Sequence, residues 1–219
     1  MLVLGDAHAD DPARRRALES AYAAANASVA LQTGDLLTYD LPVETYFVAG
    51  NNEDLDVVEA LRRGAAPPGS VRNVHLLASQ AVEVAGLSVA GLSGNFAPTQ
   101  FESDRAALVG DRRRHFTHED VERARALEDV DVFLAHEAPH GLLEKGGYDV
   151  GCTHVDAILR DLEPALCLVG HHEEAAESRF GPTRVLGLEP VWRAYYTLDP
   201  QTLRVTRHDT PAGAPEPGE

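Results

Sequence analysis

The strongest constraint in this chain is a pattern that recurs: a short apolar run that breaks into Asp, Asn or His. Leu2-Val3-Leu4 runs into Gly5-Asp6-Ala7-His8. The stretch from Ala27 to Gln32 runs into Thr33-Gly34-Asp35, and that from Glu44 to Ala49 into Gly50-Asn51-Asn52-Glu53. Val130 to Ala135 ends in His136, and Ala165 to Val169 in Gly170-His171-His172-Glu173. Such runs, bounded by glycine and polar residues, are what strands buried on both faces require. Laid in parallel, they deliver their terminal side chains to one edge, the edge where ligands of open α/β sheets gather.

Between these runs the sequence supplies helices. Asp11-Pro12 starts one, with Pro at the first helical position and Ala17, Leu18, Ala21, Tyr22 and Ala25 at helical spacing. Leu55, Val58 and Leu61 carry a second, stopped by Gly64 and Pro67-Pro68. Thr117 is placed to cap a third through about Leu127, and residues 155–162 form a fourth. The middle reads as paired strands over 71–77, 81–85 and 87–92, turning at Gly86. Residues 94–115 read as an insertion or capping loop, with Arg112-Arg113-Arg114 as a solvated charged face. The loop 136–148 has the Pro and Gly content of an active-site loop. Residues 178–206 read as two or three antiparallel strands, with Trp192, Tyr195 and Tyr196 as packing residues. His75, His115, His118, His154, His172 and His208 are expected at the surface or at caps. The whole is expected to be a single α/β layered domain over residues 1–208, followed from Asp209 by a Pro/Gly/Glu-rich disordered tail.

Composition narrows the setting. In 219 residues there is no apolar run of the roughly 20 residues a membrane helix needs. The start MLVLGDAHAD lacks a basic region and meets Asp6 too early for a signal peptide. Two cysteines, Cys152 and Cys167, are too few for a disulfide framework, so a reduced cytoplasmic protein is expected. Asp plus Glu number 35 against 19 Lys plus Arg, a formal charge of −16, and Lys145 is the one lysine. This acidic, lysine-poor balance resembles proteins of salt-loving microbes; a merely acidic mesophilic protein is the alternative. No basic patch tracks a nucleic-acid backbone, which leaves nucleic acid a place only as substrate. The Asp, Asn and His mixture, without thiolates, suits first-row transition metals, manganese first and iron, zinc or nickel after it.

In their order and spacing, Gly5-Asp6-Ala7-His8, Gly34-Asp35, Gly50-Asn51-Asn52-Glu53, His136 and Gly170-His171-His172-Glu173 resemble the five blocks of the calcineurin-like metallophosphoesterase superfamily. The resemblance covers about residues 1–205. It implies a four-layer α/β/β/α sandwich and a pair of divalent metal ions: Asp6 and His8 on one, Asp35 shared, and Asn51, His136 and His171 on the other. Two ions sharing a carboxylate activate a water and clamp a phosphate, so the substrate would be a phosphate ester. Gly91-Leu92-Ser93-Gly94-Asn95-Phe96 and His136-Glu137-Ala138-Pro139 resemble the branch that contains RNA lariat debranching enzymes. No membrane partner is implied, and the oligomeric state is left unspecified.

Two positions depart from the family pattern. Where the family has a His that helps protonate the leaving oxygen, this chain has Asn52, which transfers no proton. Members with another residue there include phosphodiesterases, so Asn52 is expected to contact the substrate phosphate in a phosphodiesterase. His75, His140, His154 and His172 are candidates to supply the proton instead. Where the family has a second His on the Asp6/His8 ion, this chain has Glu173, a carboxylate able to ligate the same metals. Two other readings stand beside the enzyme: a binding or scaffold protein whose chemistry has lapsed, as in the retromer subunit of this fold, and a nuclease of the debranching type.

Overall fold

The apolar runs do form strands, and a computed structural model of the chain, which describes residues 1–211, gathers them into two six-stranded sheets. In chain order the first half contains β1 (Leu2–Leu4), α1 (Pro12–Ala25), β2 (Val29–Gln32), β3 (Asp40–Phe47), α2 (Leu55–Arg62), β4 (Arg72–Leu76), β5 (Gln80–Val84) and β6 (Leu87–Leu92). Two short 3-10 turns (Arg105–Ala107 and Gly110–Arg114) lead to α3 (His118–Arg125), β7 (Val132–Ala135) and a two-residue ladder of β8 (Glu144–Lys145) with β9 (Tyr148–Asp149). Then come α4 (Thr153–Leu162), β10 (Leu166–Val169), β11 (Ala176–Phe180), β12 (Thr183–Gly187), β13 (Ala194–Leu198) and β14 (Val205–Asp209).

The first sheet has the order β14-β13-β1-β2-β3-β4 and the second β11-β12-β10-β7-β6-β5. Within the first, β1 to β4 run parallel; within the second, β6, β7, β10 and β12 do. Side chains alternate between two apolar layers. Leu2 and Leu4 face α1 and α2 with Leu18, Val57 and Val58, while Val3 faces the other sheet. In the second sheet Phe133, Cys167 and Val169 meet α3 and α4, and Val132, Leu134, Leu166 and Leu168 fill the space between the sheets. A strand with a dry layer on each side has little room for a polar residue, which is why β1, β7 and β10 are apolar throughout. The result is the α/β/β/α sandwich.

The helices start where side chains can take the first free N–H groups. Asp11 accepts from Ala13 and Arg14 at 2.8 and 2.9 Å, and Asp54 accepts from Asp56 and Val57. Thr117 and Asp120 form a reciprocal capping box at α3. Helix α1 stops at Asn26, which takes the left-handed conformation with φ 46°.

Some expected elements fall elsewhere. Strand β3 begins at Asp40, four residues before the expected Glu44, across a register shift against β4 between Asp40 and Thr45. The three middle strands split: β4 pairs with β3, while β5 and β6 form a hairpin in the other sheet. The segment expected as two or three antiparallel strands holds four, divided between the sheets, and β12 is parallel to β10. Period-two alternation marks a strand but not the sheet it joins, because both sheets share one dry layer. Asp209 closes β14 and the Thr210 hydroxyl donates to the Val191 carbonyl at 2.6 Å, so the fold runs past the expected start of the tail; residues 212–219 lie outside those described.

Candidate metal centre

Parallel pairing brings the carboxyl ends of β1, β2, β3, β7 and β10 to one edge, and the loops there are tied to one another before any ligand is considered. The N–H groups of Ala7 and His8 donate to the Asp35 carbonyl at 3.0 and 2.7 Å, and Val191 N–H to the Asp6 carbonyl. The buried Gln32 amide donates to the carbonyls of Gly5 and Gly34 and accepts from Gly34 N–H at 2.8 Å. Gln32 thereby sets the distance between the loop that carries Asp6 and the loop that carries Asp35. Sequence reading passed over it as the last residue of a strand; a polar side chain at a position with no exposed face was the available signal.

Asp6, His8 and Asp35 offer ligand atoms that all lie within 4.8 Å of one another. Glu173 stands at the rim of this group, with Oε1 4.0 Å from His8 Nε2. A second set converges beside it. His136 Nε2 is 2.9 Å from Asn51 Oδ1, 3.1 Å from His171 Nδ1 and 3.8 Å from Asp35 Oδ1. Asp35 therefore touches both sets, as a shared carboxylate must. The backbone adopts the left-handed region at His8, Asp35, His171 and Glu173, with φ of 45°, 53°, 67° and 56°. Non-glycine residues held there carry strain on the order of 1–3 kcal/mol each, and such strain clusters at functional sites.

The donor set asks for a cation. Asp6 is enclosed, and burial followed by the nearby Asp35 charge pushes its carboxyl well above the usual carboxylate range. His136 Nδ1 faces the Thr33 carbonyl at 2.9 Å and must donate to it, so neutral His136 presents a lone pair at Nε2. That lone pair points at the Asn51 oxygen and the second imidazole, an arrangement that a metal ion resolves and a hydrogen bond to oxygen does not. Gly50 makes room for it: a Cβ there would strike Asp35 Oδ1 and sit 2.7 Å from His136 Cε1.

Asn52 engages the Asp35 carboxylate. Its backbone N–H donates to Asp35 Oδ1 at 2.7 Å and its amide to Asp35 Oδ2 at 2.9 Å, so it orients the carboxylate that stands between the two sets. Glu53 braces the same loop from below. It accepts from the N–H groups of Leu36 and Leu37 at 3.0 and 3.3 Å and from the Tyr39 hydroxyl at 2.6 Å. Burial of the carboxyl raises the Glu53 pKa to about 7 against the pull of Tyr39 and those N–H groups.

The other histidines separate by position. His75 stacks on Tyr46 and pairs with Glu44 on the outer strands of the first sheet. His154 is not a plain surface group: it lies against Phe96 and Phe101, with ring centroids 4.6 and 4.0 Å away. His172 is half-buried beside His171, and burial, then the neighbouring His171, lowers its pKa to about 4. Trp192, Tyr195 and Tyr196 are buried packing residues, as expected. Cys152 and Cys167 are buried free thiols. Among the described residues no helix is long and apolar enough to cross a membrane.

No family model matches the chain. Among curated proteins it is similar to the lariat debranching enzyme of Schizosaccharomyces pombe (strain 972 / ATCC 24843), 24% identical over 170 residues. That match takes in 63% of this chain and 36% of the enzyme, so the chain spans little more than a third of the curated relative it matches. Among solved structures, TT1561 of Thermus thermophilus superposes with a TM-score of 0.67 at 18% identity, over 96% of this chain and 98% of that one. A further solved structure reaches a TM-score of 0.71 at 15% identity, with the same coverage. At such identities the two structures speak for the fold alone. The sandwich and the order of the five blocks along its edge agree with the resemblance to the calcineurin-like metallophosphoesterase superfamily read from the sequence, and the similarity to a debranching enzyme points the same way.

Proposed function

We propose that this protein is a metal-dependent phosphoesterase, and a phosphodiesterase rather than a monoesterase. The observation that carries the reading is Asp35: one buried carboxylate standing 3.5 Å from His8 Nε2 on one side and 3.8 Å from His136 Nε2 on the other. Asp6, His8 and Glu173 would hold one ion, Asn51, His136 and His171 the second, and Asp35 both. Manganese fits this oxygen and nitrogen set best, with iron, zinc or nickel as alternatives. A pair of divalent ions supplies Lewis-acid charge for the phosphate and an activated water.

The chain's own residues do the positioning. Asn52 fixes the orientation of Asp35 through two hydrogen bonds, and Glu53 with Tyr39 holds the turn that presents it. His136 is oriented by the Thr33 carbonyl, and His171 N–H donates to Asp6 Oδ1 at 3.1 Å, which ties the two ligand sets together. Two buried free thiols fit a reducing, cytoplasmic setting.

Asp35→Asn tests the reading. With manganese and an aryl phosphodiester, the variant should lose nearly all hydrolysis and bind fewer ions; unchanged turnover sinks the shared-carboxylate mechanism. Asn52 and Glu173, which replace two family histidines, favour a scaffold as the second reading. Elemental analysis separates them, since two transition ions per chain support the enzyme and none supports the scaffold. The debranching-enzyme match supports a nuclease as the finer substrate class. Cleavage of branched or single-stranded RNA in high salt would bear that out, and inertness would remove it.

A further inference from the structure

Breaking a phosphate ester requires a proton for the departing oxygen unless the leaving group is already a stable anion. Asn52 cannot supply it, because an amide does not exchange a proton in this way and its Nδ2 is engaged with Asp35. A cavity of about 310 Å³ opens against the second ligand set. His171 and His172 form one side, and Phe96, Glu137, Cys152 and His140 line the rest.

His140 is built into that wall with care. Its Nδ1 lies 2.8 Å from Asp156 Oδ2, and its backbone N–H donates to Asp156 Oδ1 at 2.9 Å. A carboxylate only accepts, so Nδ1 keeps its proton and Nε2 is the nitrogen that gains and loses one. Asp156 is nearly covered, with 13% of its side chain exposed against 39% for His140, so the imidazole is the reachable member of the pair. The loop is locked around them. Cys152 N–H donates to the Ala138 carbonyl at 2.8 Å, and Asp149 accepts from Gly141 and Gly151 N–H at 2.7 and 2.8 Å. Any Cβ on Gly151 would run into the His140 backbone, so that closure depends on glycine. His172 lines the same cavity, but among the described residues no carboxylate pairs with its ring.

We propose that His140 is the general acid of this site, with Asp156 as its positioning residue; this rests on the phosphoesterase reading above. In the step, the bond from phosphorus to the leaving oxygen breaks and that oxygen takes the electron pair. It receives the proton from Nε2 of the His140 imidazolium. The water oxygen forms the new bond to phosphorus and its proton passes to solvent, from which the neutral imidazole is later reprotonated. The titratable groups that face His140 are Asp156 on α4, Asp149 at the end of β9, Glu137 and Cys152 on the flanking loops, and His171 and His172 across the cavity.

The test compares two phosphodiesters with manganese, one with a nitrophenolate leaving group and one with a ribose hydroxyl. His140→Gln should lower kcat on the poor leaving group by about 10²–10⁴-fold, and the nitrophenyl ester, which needs no proton, should lose far less. Asp156→Asn should move in the same direction by a smaller factor and shift the alkaline limb of the pH profile. Imidazole added to His140→Ala should restore part of the rate, which a structural role would not allow. In the metal-free protein, nitrogen NMR should find the Nδ1–H tautomer at His140 and lose it in Asp156→Asn. Equal losses on both esters, no loss on either, or an Nε2–H tautomer in the wild type overturns the inference while the phosphoesterase reading survives. Failure of the wild type to hydrolyse any ester removes both.

Discussion

Replacing Asp120 with Asn should destabilise the protein by several kcal/mol, and the size and pH dependence of the loss follow from its surroundings. Asp120 is the third residue of α3, and its side chain is 1% exposed. It accepts from Thr117 N–H and hydroxyl at 2.9 and 3.0 Å, from Arg105 Nη2 at 2.7 Å and from Arg123 Nη2 at 2.6 Å, and Arg62 Nη1 stands 3.6 Å away. Burial by itself would raise its pKa, but the Arg105 and Arg62 charges outweigh burial and hold it at about 2, below the ordinary 3.8. At about 1.4 kcal/mol per pH unit, that difference is worth about 2 kcal/mol at neutral pH. The sign is that of a depressed acid: the contribution is complete above the unfolded value near 4 and disappears as pH falls through the folded value near 2. The variant leaves Glu59 as the nearest carboxylate to Arg62 and Arg105, at 3.5 and 3.7 Å, and an amide N–H₂ turned toward Arg62 and Arg123 meets groups that only donate. Breaking a buried pair in this way adds to the charge effect and brings the total toward about 3–5 kcal/mol. For a chain of this size that lowers Tm by roughly 6–20 °C. The assay is urea unfolding of both proteins at pH 7 and pH 3, over which the gap should shrink by about 1 kcal/mol. A gap below about 0.5 kcal/mol at pH 7, the size of an ordinary surface substitution, or one that does not change with pH, refutes the reasoning.

Gly50→Ala needs no unusual backbone angle, yet its methyl group would collide with Asp35 Oδ1 and lie 2.7 Å from His136 Cε1. Calorimetric titration with manganese should show affinity lowered at least about tenfold, with a folding cost of about 1–3 kcal/mol. Asn52→Ala removes one of the two hydrogen bonds to Asp35 and should weaken metal binding by about 10–100-fold while the fold stays intact by circular dichroism. The excess of 35 acidic over 19 basic residues predicts that Tm climbs as potassium chloride rises to molar levels. A flat response would leave an ordinary acidic protein in place of a salt-adapted one.

Much of the site was legible because its chemistry lies at strand ends. Asp6, His8, Asp35, Asn51, His136 and His171 stand out as polar residues that interrupt apolar runs; parallel pairing gathers the first four at the edge of one sheet and the two histidines at the edge of the other, and the packing of the sheets brings the two groups together. The brace around them was not legible in that way. Gln32, Thr33, Tyr39 and Ser93 act through backbone partners distant in sequence, as when the Ser93 hydroxyl accepts from Ala49 N–H at 2.9 Å. No local pattern announces such bonds. His140 shows the same division. It was one of four histidines that could stand in for the missing acid, and only the approach of α4, with Asp156, singled it out.

What the sequence determined by itself is the set of buried strands and the Asp, Asn and His residues at their ends that could hold a metal. Both rest on short-range physics: a strand covered on two faces must be apolar, and a polar residue that follows it must leave the core. What only the tertiary structure decided is which sheet each strand joins, that β12 runs parallel to β10, and that Asn52 clamps Asp35. Those depend on contacts between residues far apart along the chain, where strands from two sheets share a single apolar layer and the alternation of side chains reads the same for either sheet.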